Sequence, residues 1–271
     1  MHSVVIITNT GYNDIYLGVL KYQIKHQIQD VDIFEFVTSI QNSIQESAAY
    51  LLLNEHHFNT NAIFYIENNI AQQINAQKIL MIHYNNKWIV TADNGLVGLI
   101  EKDKIQNIYC WKETITTSFY AKNEMLNALK FLIKNSFSIS KHLPTTSLDE
   151  CKKIHWTSII ERDIGNDKKQ IVVPILYIDK YQNIILNYKL SDYLKYSQEY
   201  DIQIRLPFHQ IQKIHQNYNA VENNDVVALF NDAGYLEIAV NGGYLANLVA
   251  HKDIYSGDTY HILLELKKKN I

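Results

Sequence analysis

The feature that most constrains the fold of this chain is the alternation of short apolar runs with helical patterns in its first half. The first run, residues 3–8 (SVVIIT), is continuously apolar, as is typical of a strand that is buried on both faces. A polar turn follows, and Asp14 is placed to cap a helix on which Leu17, Leu20 and Ile24 recur at helical spacing. This order of strand, turn and helix places ligands at the carboxyl ends of the strands.

The alternation continues and predicts an α/β domain over residues 1–140. Because strands alternate with helices, we expect a mostly parallel sheet. The apolar runs at 78–84 and 87–92 are separated only by Asn85 and Asn86, which predicts a hairpin. The other strands are predicted at residues 31–37, 62–67 and 107–111, and the other helices at about 44–54 and 121–134.

The second half of the chain has a different pattern. Residues 141–170 show no clear period, so we expect them to connect two domains. Residues 171–271 contain a series of β-patterned runs and form the second, all-β domain. Pro174 interrupts the first of these runs, which predicts an edge strand or a bulge because proline has no backbone donor.

The composition narrows the classes of function. A net charge of −3 and a pI near 6.4 argue against nucleic-acid binding through a basic face. No apolar run approaches the roughly 18 residues of a membrane span, and we expect no signal peptide. The two cysteines, Cys110 and Cys151, form neither a metal spacing nor a disulfide framework, so we expect a cytoplasmic protein without a metal centre.

Three stretches that contain polar turns at the ends of predicted strands are candidates for a site. They are TADNGL at 91–96, YIDKYQNIILN at 177–187, and FNDAGYLEIAVNGGYLANLV at 230–249. Four of the nine glycines fall between Gly234 and Gly257, so tight backbone geometry is concentrated there. Each stretch is explained either by turn chemistry or by presentation of backbone and amide groups to a planar polar ligand.

Taken together, the three stretches resemble the family of S-adenosylmethionine hydroxide adenosyltransferases and the related halogenases. The resemblance implies an N-terminal α/β domain followed by a C-terminal β-barrel domain. It implies S-adenosylmethionine as substrate or ligand, with no further cofactor. It also implies a homotrimer in which each pocket lies between the α/β domain of one subunit and the barrel of the next.

The resemblance implies a set of ligand-binding residues. The family's aspartate that binds the methionine amino group matches Asp179, and the asparagine on the adenine side matches Asn183. The family's glycine between them is Gln182 here. An asparagine amide can pair with an adenine edge because it offers a donor beside an acceptor. The remaining matches are Tyr181, Asn241, Gly242 and Asn94, of which Asn94 either contacts the ligand or shapes the pocket wall.

Asn9 is the first departure from the family pattern, because relatives have an aspartate that accepts both ribose hydroxyls. An amide has only one oxygen and cannot accept both bonds. Losing one charge-assisted bond costs roughly 1.5–3 kcal/mol, or about 10- to 150-fold in affinity. Asn9 then binds a ribose weakly, binds a ligand without a vicinal diol, or caps the turn.

Glu67 is the second departure. Hydroxide-using relatives have an aspartate at this position, followed by a glycine-rich loop that leads to an arginine. The loop here, residues 67–72, contains no glycine. The arginine aligns near Gln77 or Lys78, so we expect Lys78 to supply the positive charge.

The third departure lies in the stretch SFYAKN, residues 118–123. Tyr120 stands where hydroxide-using relatives have histidine, and Ala121 stands where the halogenases have their halide-binding serine. A tyrosine with a pKa near 10 cannot exchange protons at neutral pH as a histidine does. Phe119 is expected to line the pocket.

Three hypotheses follow. The first is a protein that binds S-adenosylmethionine or adenosine, with weak or altered hydrolysis to adenosine and methionine, in which Glu67, Lys78 and Tyr120 are the catalytic candidates. The second is a non-catalytic member of the family that binds a nucleoside. The third is a pocket that has been adapted to another small molecule.

Overall fold

A computed structural model describes residues 2–38, 43–68, 78–112, 118–249 and 261–269. The chain divides into two compact units, Met1–His155 and Trp156–Ile271. The domain limits expected from the sequence stay a prediction, although the stretch 141–170 contains one complete strand and the start of another. Within the described ranges, no helix has both the length and the hydrophobicity needed to cross a membrane.

The first unit is an α/β domain with a mixed six-stranded sheet. The strand order is β2-β1-β3-β5-β4-β6, in which β1, β2, β3 and β5 pair in parallel and β4 runs antiparallel to both of its neighbours. The elements are β1 (His2–Thr8), α1 (Ile15–Gln27), β2 (Val31–Val37), α2 (Ser43–Asn54), β3 (Ala62–Glu67), β4 (Ile79–Tyr84), β5 (Lys87–Ala92), β6 (Ile105–Lys112) and α3 (Ser118–Lys134).

The local signals in this unit are confirmed. Asp14 caps α1, and its Oδ1 accepts a hydrogen bond from the backbone N–H of Tyr16 at 2.9 Å. The β4–β5 hairpin turns at Asn85 and Asn86, which have φ values of 47° and 58°. Asparagine tolerates this left-handed conformation better than most residues, which is why it is favoured in two-residue hairpins.

The core explains why the central strands are apolar on both sides. Every residue of β3 is buried, and helices α1 and α3 cover one face of the sheet with side chains such as Leu20, Ile24 and Leu129. Burying each such apolar side chain stabilises the folded state by roughly 1.5–3 kcal/mol. Because β1, β3 and β5 pair in parallel, they end together at one edge of the sheet, where Thr8 pairs with Glu67 and Ile66 pairs with Thr91.

The second unit is an antiparallel, nearly barrel-shaped sheet of eight strands. The strand order is β11-β10-β14-β8-β9-β13-β12, and β7 pairs with β8. Apolar side chains from these strands form its core. The elements are β7 (Ile160–Gly165), β8 (Lys168–Ile178), β9 (Ile184–Lys189), α4 (Leu190–Ser197), β10 (Tyr200–Arg205), β11 (Gln210–Ile211), β12 (Val226–Phe230), β13 (Tyr235–Val240), α5 (Ala246–Val249) and β14 (His261–Lys268).

Pro174 lies inside β8, which is a central strand and not an edge strand. On one side, Pro174 pairs with His261 of β14. On the other side, pairing with β7 ends at Val172 and pairing with β9 starts at Ile175, with an irregularity between Ile175 and Tyr177. The missing donor is tolerated because the proline falls where β8 changes partner, close to the bulge that the sequence predicted as one alternative.

A tight turn joins β8 to β9 and holds the candidate residues of the second unit. The carbonyl of Asp179 accepts a hydrogen bond from the N–H of Gln182 at 3.0 Å, and Gln182 has a φ of 64°. The carbonyl of Gln182 accepts a hydrogen bond from the N–H of Ala246 at 2.9 Å, which joins this turn to α5. The left-handed conformation suits the glycine that the resemblance implies at this position.

We expect Gln182→Gly to raise the free energy of unfolding by about 0.5–1 kcal/mol. A left-handed residue other than glycine costs roughly 1–2 kcal/mol, and the greater freedom of glycine in the unfolded chain offsets about half of that gain. Urea denaturation of both proteins measures the difference. Lys180→Gly is the matched control: Lys180 lies in the same turn without a positive φ, so its substitution should lower stability. An equal loss in both variants would contradict the explanation.

Candidate functional site

The predicted site residues fall into two groups, one in each unit. We call the first the N-terminal cluster, defined by the predicted residues Asn9, Glu67 and Asn94 together with Lys122, which was not predicted from the sequence. We call the second the C-terminal pocket, a cavity of about 540 Å³. Each group is described within its own unit.

A buried ion pair dominates the N-terminal cluster. Glu67, the last residue of β3, is 5% exposed, and its Oε1 lies 2.5 Å from the Nζ of Lys122. Lys122 belongs to the first turns of α3, and its Nζ also lies 5.6 Å from the centroid of the Tyr16 ring. A cation over an aromatic face is attracted to it, so α1 and α3 together hold the ammonium group at the strand end.

The pKa of Glu67 reflects two opposed effects. Burial raises its pKa because the charged form loses hydration, and Lys122 lowers it in part by charge and hydrogen bonding. The neighbouring Tyr65 hydroxyl donates a hydrogen bond to the carbonyl of Lys122 at 3.4 Å, and burial beside Glu67 raises the pKa of Tyr65 well above its usual value. The net result is a carboxyl group with a raised pKa at the edge where the strands end.

Asn94 connects the ends of β3 and β5. It is 1% exposed, and its Nδ2 donates to the carbonyl of Asn68 at 3.3 Å and to Oγ1 of Thr91 at 3.4 Å. Its Oδ1 accepts from the N–H of Leu96 at 3.2 Å. Because these bonds occupy the amide, the geometry favours the interpretation in which Asn94 shapes the pocket wall.

The turn after β5 is anchored to a later segment. Asp93 Oδ1 accepts a hydrogen bond from the N–H of Lys152 at 2.9 Å, and the N–H of Asp93 donates to the carbonyl of Lys78 at 2.7 Å. Gly95 has a φ of 104°, and a Cβ there would lie 2.5 Å from Cγ1 of Ile154, so the site requires glycine.

Lys78 and Lys122 act on different carboxyl groups. Lys78 lowers the pKa of Asp93, against the larger effect of burial, whereas Lys122 is the cation paired with Glu67. The resemblance, which implies the family's arginine near Lys78, did not predict this pair. The signal that could have found it is the position of Lys122 in the stretch 118–123, one turn into a helix that packs beside the strand ends.

The other N-terminal candidates are placed only in part. Asn9 is half-buried and directly follows β1, whose last residue, Thr8, accepts hydrogen bonds from Thr10 and Thr38. Residues 118–121, which include the predicted Phe119, Tyr120 and Ala121, belong to α3, but their side chains lie outside the description. The loop at 69–77, which includes Gln77, one of the two positions expected for the family's arginine, also lies outside the described residues.

The C-terminal pocket brings together five residues predicted from the sequence. They are joined by residues that the sequence analysis did not single out, above all Tyr218 and Glu237. The predicted residues that line the cavity are Asp179, Tyr181, Asn183, Asn241 and Gly242, and the additional ones are Tyr218, Glu237, Val240, Gly243 and Tyr244.

A hydrogen-bond network crosses the inner wall of this pocket. Asp179 accepts from the backbone N–H of Asn183 at 2.8 Å and from its Nδ2 at 3.2 Å. The same Nδ2 donates to Oε1 of Glu237 at 3.1 Å, and the Tyr218 hydroxyl donates to that oxygen at 2.5 Å. Asn231 Nδ2 donates to Oε2 of Glu237 at 3.4 Å. Glu237 is 5% exposed, so this carboxylate depends on hydrogen bonds in place of water.

The network perturbs the pKa of each acid. Burial is the largest effect on both Asp179 and Glu237, and it raises the pKa of each. The charge of Asp179 raises the pKa of Glu237 further, while hydrogen bonds from Tyr218, Asn231 and Asn183 lower it. Burial and the bond to Glu237 raise the pKa of Tyr218 well above its usual value. Paired carboxyl groups of this kind favour a ligand that carries N–H donors or positive charge.

Asn241 and Gly242 also line the pocket. Asn241 Nδ2 donates to the carbonyls of Val221 at 3.0 Å and Glu222 at 3.5 Å. Gly242 has a φ of 73°, a conformation that suits glycine and lets the backbone approach a ligand closely. The exposed rings of Tyr181 and Tyr244 lie at the same cavity.

Comparison with solved structures places the fold among known ones. A crystal structure of an uncharacterized conserved protein from Thermotoga maritima matches with a TM-score of 0.72 and 15% identity, over 97% of this chain and 99% of that one. A conserved hypothetical protein from Thermus thermophilus matches with a TM-score of 0.66 and 13% identity, over 98% of this chain and 100% of that one. At these identities the likeness shows the fold alone.

Comparison of the sequence with protein-family models shows the family as well as the fold. Residues 4–138 match the N-terminal domain of SAM hydroxide adenosyltransferases, and residues 173–253 match the C-terminal domain of the same family. The two matches follow one another in the family's order and cover most of the chain. The protein therefore belongs to the SAM hydroxide adenosyltransferase family, which confirms the resemblance seen in the sequence.

Proposed function

We propose that this protein binds S-adenosylmethionine and hydrolyses it slowly to adenosine and methionine. The observation that carries the proposal is the buried Glu67–Lys122 pair at the end of β3. By the resemblance, Glu67 matches the position of the family's aspartate, and the pair would supply a base together with a cation. Family membership supports chemistry on S-adenosylmethionine, and the altered residues support a reduced rate.

The C-terminal pocket supplies the binding groups in this proposal. Its volume of about 540 Å³ lies in the range of roughly 300–1,000 Å³ that small-molecule sites occupy. Asp179 would bind the methionine ammonium group by charge and hydrogen bonding. Asn183 and Asn241 would bind the adenine edge, and the exposed ring of Tyr181 offers an apolar face to the ligand.

The proposed step is a displacement at the ribose C5′. The oxygen of a water molecule from solvent forms a bond to C5′ while the C5′–S bond breaks. The electron pair of that bond goes to sulfur, which leaves as the neutral thioether of methionine. Glu67 accepts the proton of the water, and Lys122 orients the carboxylate. A carboxyl group with a raised pKa is a better base near neutral pH than an ordinary one.

Two natural differences from the family pattern would make the reaction slow. Asn9 cannot accept hydrogen bonds from both ribose hydroxyls, so ribose positioning is weaker than in relatives with aspartate. Tyr120 stands where the resemblance implies a histidine, and a phenol is a poorer acid–base group at neutral pH than an imidazole. Misplacing the reacting atoms by about 1 Å can cost on the order of 100-fold in rate.

A second candidate function is nucleoside binding without turnover. The ion pair favours it, because Lys122 lowers the pKa of Glu67 against the larger effect of burial and so makes the carboxylate a weaker proton acceptor than burial alone would. The same binding groups of the C-terminal pocket would serve this function. The two candidates differ only in whether products form.

We also propose that three copies assemble and complete one another's sites. Helix α1 and the turn before it expose an apolar stripe whose members are 43–74% exposed: Tyr12, Ile15, Tyr16, Val19 and Tyr22. Contiguous apolar surface of this kind marks an interaction site. Tyr16 belongs to the stripe and contacts Lys122, so a neighbouring subunit covering α1 would lie beside the N-terminal cluster.

The full chain should be tested with S-adenosylmethionine for both melting temperature and released products. Ligand at about 100 times its dissociation constant should stabilise the protein by roughly 2.7 kcal/mol, a shift of about 5–10 °C. We expect adenosine and methionine to appear in equal amounts. Glu67→Gln should lower the rate by about 100-fold or more, since general-base catalysis contributes 10²–10⁴-fold. Lys122→Met should lower it as well.

Glu101→Gln is the matched control, since Glu101 is paired with Lys104 elsewhere in the first unit. It should leave both binding and rate unchanged. A thermal shift without products would support the second candidate. No shift with S-adenosylmethionine or adenosine would refute both candidates, and an unchanged rate in Glu67→Gln would refute the role of Glu67.

The stability of the protein should depend on pH through Glu67. Its folded pKa is raised above the ordinary 4.5, so the folded state binds this proton more tightly than the unfolded state. The ionised group therefore costs stability above its folded pKa, and the cost disappears as the pH falls through that value to 4.5. The stability of Glu67→Gln relative to the native protein should be greater at pH 7 than at pH 5, measured by urea denaturation. A relative stability that increases on acidification would contradict this assignment.

The assembly should be measured by light scattering after gel filtration. We expect a mass about three times that of the 31.6 kDa chain. Val19→Glu should dissociate the assembly because it places a charge within the stripe, and the monomer should lose turnover. Lys141→Glu changes the charge of an exposed residue of the same unit outside α1 and should leave the trimer intact. A native protein that elutes as a monomer would exclude the trimer.

A further inference from the structure

Two asparagine side chains at the C-terminal pocket have their NH₂ groups bound by the protein itself. Asn183 Nδ2 donates to Asp179 Oδ2 at 3.2 Å and to Glu237 Oε1 at 3.1 Å. Asn241 Nδ2 donates to the carbonyls of Val221 and Glu222. The polar atom that each amide retains for a ligand is therefore Oδ1, which only accepts hydrogen bonds.

Glu237 determines the orientation of Asn183. An amide between two carboxylates must direct its NH₂ group toward them, because its oxygen would be repelled by both. Glu237 also accepts from the Tyr218 hydroxyl and from Asn231 Nδ2, so three donors converge on one buried carboxylate. No rotation of Asn183 can satisfy these groups as well as the present one does.

The inner wall of the pocket consequently offers acceptors. Asp179 and Glu237 are carboxylates, Asn183 presents its oxygen, and the Tyr218 proton is already donated to Glu237. The rings of Tyr181 and Tyr244, both more than 60% exposed, lie toward solvent. A ligand group that meets this wall must bring its own N–H donors.

We propose that Glu237 is a positioning residue that makes the pocket select amino-bearing nucleosides over their oxo counterparts. The proposal rests on the proposed nucleoside-binding function and adds a specificity determinant to it. The exocyclic amine of adenosine donates to an oriented asparagine oxygen. The carbonyl that replaces this amine in inosine would meet that oxygen as a second acceptor, and both would lose a partner.

The test is the dissociation constant of adenosine and of inosine for the native protein, measured by calorimetry on the full chain. We expect the native protein to prefer adenosine by at least about tenfold, the effect of leaving one buried polar group unpaired. Glu237→Gln keeps the shape of the side chain, but its single oxygen cannot accept all three donors. We expect this variant to reduce the preference to less than about threefold. A purely structural defect would instead weaken the binding of both nucleosides equally and leave the ratio of their dissociation constants unchanged.

Two further variants make the result specific. Glu199→Gln removes an exposed carboxylate from the same unit and should keep the native ratio. Asn183→Ala removes the oriented oxygen itself and should lose the preference even if Glu237→Gln fails to fold.

Two outcomes would overturn the proposal while the nucleoside pocket stands. One is native protein that binds both nucleosides equally, and the other is Glu237→Gln with an unchanged ratio. Native protein that binds neither nucleoside nor S-adenosylmethionine would overturn the proposed function, and this role of Glu237 with it.

Discussion

The parallel pairing of β1, β3 and β5 is the constraint on which the candidate chemistry depends. The register sets Thr8 beside Glu67 and Ile66 beside Thr91, so three strand ends lie at one edge. Helix α3 then brings Lys122 to Glu67, and Asn94 ties the ends of β3 and β5 together. Asn9, Glu67 and Asn94 follow or end apolar strands, so burial of those strands in the core fixes their positions.

Both units keep carboxyl groups away from water, and they stabilise them differently. In the first unit Glu67 is paired with a cation, whereas in the second Glu237 is surrounded by neutral donors and lies close enough to Asp179 to be affected by its charge. Burial raises the pKa in both cases, at some expense to stability. Buried carboxyl groups with perturbed pKa values are typical of functional sites. The ion pair fits proton transfer, and the donor network fits recognition of a ligand.

Most of the fold could be predicted from local patterns, because hydrophobic period and turn chemistry act over a few residues. The hairpin at Asn85–Asn86 and the cap at Asp14 are examples. The position of Pro174 could not be predicted fully, because the sequence does not show where a long strand changes partners. In the site, Asp179, Asn183 and Asn241 were named from the sequence. Tyr218 was missed because it lies 35 residues beyond Asn183, and Glu237, although inside the stretch 230–249, was missed because a strand pattern does not show which distant donors its side chain meets.

The sequence by itself determined the order of elements, the family, and the residues that differ from the family pattern at Asn9, Glu67 and Tyr120. The tertiary structure alone decided which charged groups face each other. It paired Glu67 with Lys122 instead of Lys78, and it turned the amide of Asn183 toward two carboxylates. The physical reason is that hydrophobic period is local, whereas Coulomb and hydrogen-bond energies depend on distances of a few ångströms between residues that are far apart in the chain.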